Sequence, residues 1–407
     1  MLDGLDRVDW DRLTHAYGPA GDVPDRLRAL TSRDEKVRSE ACEGLHATIC
    51  HQGSRYRASA PAVPFLFEVL ESPGASARAS LIRLLEGLAV GYAEWHVRRG
   101  FDPVEAHADA DELDDPDAAR AAEPDDEEDD EAPRIALWKR DAYEAVRNRL
   151  EVFQRLTRDP ERAVRLAAVK ILAWFPDEAA GSARLVREIL DGPLDPEETA
   201  NALLALGYLA HAGGDASDAP RLLAALDGPP AVRLAAAIAL AVILGRSAPP
   251  ECLGVLLDAA QDPQGTTAEA AAVRWHWLGP LAHAGAAIQL IGPAPEGPTL
   301  AALCRAAERV TESMAGAEVF SALLGTVIPD PESIARDPAT GFRRLAPAGL
   351  TADQRRALEA IGRAPVWDVQ PFFDGHLMDV GLEYGFSWDP GRFRALLEEA
   401  RRADPRA

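Results

Sequence analysis

The sequence predicts an all-α protein: an α-solenoid (alpha-alpha superhelix) of stacked helical hairpins, closed at each end by a helical cap. Three observations predict it. Ala and Leu dominate a 407-residue chain that is 47% apolar, while strand formers such as Thr, Tyr and Ile are scarce, a balance that favours helices. The apolar residues recur at helical spacing. One helical pattern returns along the chain at about 34 residues or multiples of it.

The stretch DPERAVRLAAVKILAWF (159–175) shows the unit most clearly. Asp159 can accept hydrogen bonds from free amides at a helix start, Pro160 suits the first helical position, and Glu161 adds negative charge where the helix dipole favours it. Val164, Ala167, Ala168, Ile171, Leu172 and Phe175 then fall at i, i+3, i+4, i+7, i+8 and i+11. That spacing makes one apolar helix face.

In chain order, residues 1–22, with Trp10 and Tyr17, read as an N-terminal cap. Repeats are expected over 23–100, with Val37-Arg38 before Ala41 and Leu45, the run PAVPFLFEVLES (61–72), and Ala77-Arg78 before Leu81 and Leu85. They resume over 134–344. SARLVREILDG (182–192) precedes DPEE (195–198) with Ala202 and Leu206; APRLLAALDGPP (219–230) precedes Val232-Arg233, which repeats the Val164-Arg165 pattern 68 residues later. PPECLGVLLDAAQDP (249–263) and PTLAALCRAAER (298–309) lead into weaker copies carrying Ala271 and Trp275, then Phe320 and Leu324. The unit is therefore helix, short turn, helix. One hairpin cannot cover both of its apolar faces, whereas stacked copies bury a continuous core.

Two segments interrupt the pattern. Residues 102–133 hold sixteen acids and one base, Arg120, and account for −15 of the net charge of −23. Like charges with little to bury predict a disordered acidic insertion over 101–133, between a helix ending near Arg99 and one beginning near Arg134. It reads either as a dispensable loop or as an acidic arm for a basic partner. Residues 345–407 form the C-terminal cap: a helix capped by Thr351, another starting near Asp374 and closed at Gly385, and a last one from Asp389-Pro390, with Trp367, Trp388 and Phe393 among the aromatics that close the core.

The hairpin resembles the HEAT repeat, including the bacterial HEAT-like repeats named after phycobilisome lyases. Asp34 with Val37-Arg38, Asp159 with Val164-Arg165, and Asp227 with Val232-Arg233 carry the resemblance. It implies that Asp34, Arg38, Asp159, Arg165, Asp227 and Arg233 form a ladder between neighbouring repeats. HQGSRYRASAPAVPFL (51–66) together with the C-terminal segment also resembles HEAT-repeat proteins of high-GC bacteria.

Outside the acidic stretch the chain carries only −8, so a nonspecific nucleic-acid binder is disfavoured. The basic stretch 147–170, with seven bases and three acids, runs the other way. Four cysteines without a Cys-x-x-Cys pair, no apolar signal core at the N-terminus, and a longest apolar run (234–245) too short for a bilayer predict a cytoplasmic protein that neither spans a membrane nor carries disulfides. No cofactor, metal or catalytic motif is expected. Cys42, His46, Cys50 and His51 are the densest set of metal-ligand types, but Cys42 and Cys50 stand two helical turns apart, too far to clamp one zinc.

Candidate binding residues lie in two places. His51, Arg55 and Tyr56 belong to HQGSRY, a loop that either anchors the next repeat or recognises a partner. His276 and Trp277 belong to RWHWLGPLAH (274–283), where two indoles either fill a wide core or expose a hot spot. The expected function is a non-catalytic scaffold or regulator that binds a protein or peptide. The alternative is a HEAT-like enzyme, either a DNA glycosylase type with a basic groove or a bilin lyase type.

Overall fold

The computed structural model describes residues 2–72, 77–121, 131–261, 275, 279–292, 297–369 and 375–403. The protein is mostly helical. Among the described residues the strands are one antiparallel pair, β1 (Thr14–His15) and β2 (Gly18–Pro19). The chain divides into two compact units, Met1–Asp191 and Gly192–Ala407.

The first unit opens with 3-10 turns at Leu5–Arg7 and Trp10–Arg12 and then the strand pair, so the cap over 1–22 is not the helical one expected. Trp10 is buried and donates its indole N–H to the Leu5 carbonyl at 2.9 Å, while Tyr17 is exposed. Among the described residues there follow α1 (Val23–Ala29), α2 (Glu35–Ile49), α3 (Ser59–Leu70), α4 (Arg78–Val90), α5 (Pro103–Ala106), α6 (Pro116–Ala121), α7 (Glu131–Arg147), α8 (Leu150–Leu156), α9 (Arg162–Leu172) and α10 (Ala179–Leu190). Consecutive helices pair as α1 with α2, α3 with α4 and α8 with α9, while α2 packs on α4 and α4 on α9. Helix α7 lies against both α3 and α4. The sequence copies fall on α2, α4 and α9, and Leu45, Leu85, Val164, Ala168 and Ile171 are fully buried there.

The acidic stretch differs from expectation. Helices α5 and α6, a 3-10 turn at Ala108–Glu112 and the start of α7 occupy it, and only 122–130 lie outside the described residues. Ala110 is fully buried against Ala136 and Leu137 of α7, with Leu113 packed beside them. Arg120 binds Asp141 at 2.7 Å, and Arg140 binds Asp111 at 2.8 Å. The physical reason is spacing. His107, Ala110 and Leu113 recur every third residue and give this segment one apolar edge, so the acids point outward. Upstream, Gly91 (φ 73°) stops α4 at Val90, well before Arg99.

The second unit has α11 (Pro196–Ala212), α12 (Ala219–Ala225), α13 (Pro230–Leu244), α14 (Pro250–Gln261), α15 (Pro280–Ile291), α16 (Gly297–Ala307), α17 (Ser313–Val327), α18 (Ala352–Gly362), α19 (Val366–Val369), α20 (Gly375–Tyr384) and α21 (Pro390–Arg402). Two rows emerge from their contacts. One runs α11, α13, α15, α17, α20; the other runs α14, α16, α18, α21. Cross-row pairs join α12 and α14 to α13, and α16 and α18 to α17. In the first row, α11 is buried without a break from Ala200 to Ala210 and α13 from Ala231 to Val242, except for a half-buried Arg233. Small residues permit this: a Cβ on Gly207 would lie 2.6 Å from the Cβ of Ala239.

Helix starts follow local chemistry. Asp195 and Glu198 form a reciprocal capping box on α11, as Thr351 and Gln354 do on α18, each satisfying two amide donors. Asp389 accepts from the Arg392 amide at 2.8 Å to start α21, as expected. Counted through Ser247, the apolar stretch containing α13 reaches 18 residues, long enough by composition to cross a bilayer, and longer than the run read from sequence. It is 61% buried, packed between α11 and α15, as a core helix would be.

Candidate functional site

The best-built polar site lies in the first unit, where the loop after α2 meets the loop after α4. Gln52 (φ 49°) and Gly53 (φ 74°) are both left-handed and turn the chain back. Fully buried Ser59 ties the turn down: its hydroxyl donates to the Ile49 carbonyl at 2.6 Å and accepts from the Tyr56 amide at 2.7 Å. The loops then press together through glycines. A Cβ on Gly53 would lie 2.9 Å from the Tyr92 ring, and one on Gly91 would collide with the Arg55 guanidinium.

Arg55 is consequently buried, at 5% exposure, rather than displayed for a partner as a surface loop residue would be. Its Nη1 donates to the Gly53 carbonyl, and its buried Nε finds no acceptor among the described residues. Three more side chains lie within its electrostatic reach. His96 holds the Val90 carbonyl at 2.9 Å through Nε2. Burial lowers its pKa and Arg55 adds to this, against the effect of the Val90 carbonyl. His107 is buried, its Nε2 without a partner among the described residues, and burial, then Arg55, Arg140 and Lys139, depress its pKa to about 4. Lys139, half-buried on α7, is lowered by burial first and by Arg55 second.

Aromatic rings hold the histidines. Phe101 lies 4.8 Å from His96 and 5.9 Å from His107, and Tyr143 lies 5.4 Å from His107. Tyr143 stacks on Phe175 at 5.2 Å, and its buried hydroxyl also lacks a partner among the described residues. Burial raises its pKa, so it keeps its proton. Beside the cationic donors of Arg55 and Lys139 there are thus a phenol and neutral imidazoles, each able to donate and to accept.

At the surface, exposed aromatics stand beside these loops, Tyr17 from the β1–β2 turn and Trp95 from the loop after α4. Tyr17 lies edge-on to His51 at 5.3 Å, its hydroxyl 3.3 Å from Nδ1. Trp95 lies edge-on to Tyr92 at 5.0 Å and is 60% exposed. Tyr56 is half-buried behind the loop. Of the residues expected to bind a partner, His51, Arg55 and Tyr56 therefore come together, while His276 and Trp277 lie outside the described residues. Their neighbour Trp275 is buried, stacked on Tyr208 at 5.4 Å, with its indole donating to Asn201. His283 is buried against the Tyr208 hydroxyl at 2.9 Å. Sequence reasoning missed His96, His107, Lys139 and Tyr143, which come from separate segments with no shared motif.

The residues of the implied ladder make the following contacts. Asp159 is buried and does bridge hairpins, but to Arg78 of α4, which grips it with both Nη groups, one at 2.8 Å. Asp159 also accepts from the Glu161 amide at 2.9 Å, and α9 starts later than expected, at Arg162. Arg165 reaches back to the carbonyl of Asp159 at 2.8 Å, and Arg38 makes the same six-residue reach to the Ser32 carbonyl at 2.7 Å. Asp34 caps α2 through the Lys36 amide. Asp227 is exposed, and neither it nor Arg233 makes a side-chain hydrogen bond or ion pair among the described residues. In these two copies the arginine after the valine bonds a carbonyl of its own turn.

All four cysteines are buried free thiols; burial pushes Cys50 up to about 11 and Cys252 up to about 12. Among the described residues no three His, Cys, Asp or Glu side chains converge on a metal position.

No protein-family model matches the chain, and no curated protein matches its sequence.

Proposed function

We propose that the chain is a non-catalytic interaction scaffold, an α-solenoid of HEAT-like hairpins that binds a protein or peptide partner. The two helix rows of the second unit and the α2, α4, α9 row of the first support the repeat reading, since within each unit successive hairpins pack on one another. One observation carries the binding reading. Exposed Tyr17 and Trp95 flank the His51–Gly53 turn, and that turn is held by two left-handed residues and a buried serine. Rigid aromatics on a fixed backbone bind at low entropic cost.

The nucleic-acid enzyme loses support from the basic stretch 147–170. Arg149 and Arg155 both bind Glu71, Arg147 binds Glu144 and Glu178, Arg158 binds Glu188, and Lys170 binds Glu86. Bases engaged this way do not make a free phosphate track.

Affinity capture with the intact chain and with a Tyr17→Ala/Trp95→Ala variant tests the reading. A partner retained by the first and lost by the second is expected. Equal retention by both, or no retention together with excision of modified bases by the purified chain, overturns it.

A further inference from the structure

We propose that the α7 face bearing Ala136, Leu137, Arg140 and Asp141 is a docking surface for an acidic peptide, and that residues 108–121 of the chain itself are its built-in, displaceable occupant. The inference is independent of the Tyr17–Trp95 reading, since the two surfaces share no residue.

The first support is how the segment is seated. Ala110 is fully buried against Ala136 and Leu137, and Leu113 and Ala119 pack beside them. Two charge pairs frame this contact and run in opposite senses. Arg140 of α7 donates to Asp111 at 2.8 Å, while its neighbour Asp141 accepts from Nε and Nη2 of Arg120, both at 2.7 Å. A further tie comes from the loop after α2, where Arg57 donates to the Arg120 carbonyl at 2.8 Å. The face therefore reads an acid, then small apolar side chains, then an arginine. Opposed charges and a bidentate bond fix the register of a docked chain as well as attracting it.

The second support is that the segment stands outside the helix stack. Helix α4 packs directly on α7 and on α9, so the row of the first unit continues without residues 108–121. Their apolar contact is small, two alanines and a leucine against an alanine and a leucine. The acids of their ion pairs are open to water, Asp111 at 80% and Asp117 at 94% side-chain exposure. Such pairs hold weakly because water and salt screen them. The bond from Arg120 to Asp141, which is 25% exposed, is the firmer tie. The contact is specific in pattern and modest in strength, as a displaceable occupant requires.

The third support is charge. Residues 108–121 carry six acids against one base, Arg120, and all six acids are exposed. Like charges this dense repel one another and oppose compact docking. The cations that touch the segment, Arg57 and Arg140, select an acidic chain, and Asp141 selects its arginine. This is the charge complementarity of a peptide groove, with the occupant supplied in cis.

Fluorescence anisotropy of a labelled synthetic peptide of residues 101–121, titrated with the full chain, tests this. A tethered occupant competes at an effective concentration of roughly millimolar, so the wild-type chain should bind the peptide weakly. Ala110→Asp unseats the chain's own segment and leaves α7 unaltered, and it should tighten peptide binding at least tenfold. A peptide carrying Arg120→Glu should lose that binding, and Asp141→Arg in the Ala110→Asp chain should restore it. Circular dichroism checks the fold of each variant. Should Ala110→Asp not fold, Arg120→Gln in the chain, at an exposed side chain, takes its place. Tyr17→Ala/Trp95→Ala should bind the peptide as the wild type does, which separates this surface from the Tyr17–Trp95 one. Equal binding by the wild-type and unseated chains overturns the proposal, as does binding that Arg120→Glu in the peptide leaves unchanged. No binding to the wild type at roughly millimolar peptide also overturns it, because residues 108–121 would then be a permanent part of the core.

Discussion

Arg78 and Asp159 offer the sharpest test of how neighbouring hairpins are joined. The Asp159 side chain is 6% exposed and the Arg78 side chain 21%. Removing one partner of a buried pair costs about 3–5 kcal/mol because it strands the other. Partial solvation of Arg78 lowers that here, to about 2 kcal/mol for Arg78→Met, which leaves Asp159 its bond from the Glu161 amide. Asp159→Ala removes the pair and that turn bond together, and a lost turn or cap bond adds about 1 kcal/mol, for about 3 kcal/mol in all. The double variant should cost little more than Asp159→Ala, a coupling of about 1.5–2 kcal/mol. Urea unfolding followed by circular dichroism, with the fluorescence of buried Trp174 as a second probe, measures all four proteins. A coupling below about 0.5 kcal/mol would refute the bridge.

Four other outcomes are expected. Gly207→Val should destabilise the second unit by about 1–3 kcal/mol, because a Cβ there would lie 2.6 Å from Ala239; an unchanged urea midpoint refutes the close crossing of α11 and α13. Ala110→Asp should cost about 2 kcal/mol by placing a charge in a buried site, whereas a neutral effect would return residues 101–121 to a loose insertion. Trp174→Phe should cost about 1–2 kcal/mol, since its indole donates to buried Glu86 at 2.7 Å; equal midpoints would refute that bond. His107 has its folded pKa depressed to about 4 from 6.5, so the unfolded chain binds the extra proton first. Its stabilising contribution is complete above pH 6.5 and is lost as pH falls toward 4, about 2 kcal/mol between pH 7 and 5. His46 and His96 shift in the same direction, and His107→Gln should flatten the profile measured by urea titration at each pH; an unflattened profile refutes the assignment.

Helices were legible because their signal is local. The i, i+3, i+4 spacing of Val164, Ala168 and Ile171 needs no partner to be read, and all three are buried. Caps at Thr351 and Asp389 were legible for the same reason, since donor and acceptor lie within three residues. The acidic stretch misled because net charge was read over the whole segment. The deciding quantity is where its few apolar residues fall. Ala110 and Leu113 at a three-residue spacing, with α7 to receive them, form a core that sixteen acids do not prevent.

The surroundings of Arg55 were illegible for a different reason, and so was the Arg78 bridge. A bridging pair is a statement about two hairpins at once. Asp159 and Arg78 are 81 residues apart, and the pattern that labels each copy cannot say which copy faces which. The same holds for Arg55, which reads as an ordinary loop arginine until Gly91 is placed over it. What marked the loop beforehand was its composition: His51, Gln52, Gly53 and Arg55 crowd polar chemistry and one glycine between two apolar helices. Gly53 and Gly91, which close over Arg55, come from two loops that no local pattern joins.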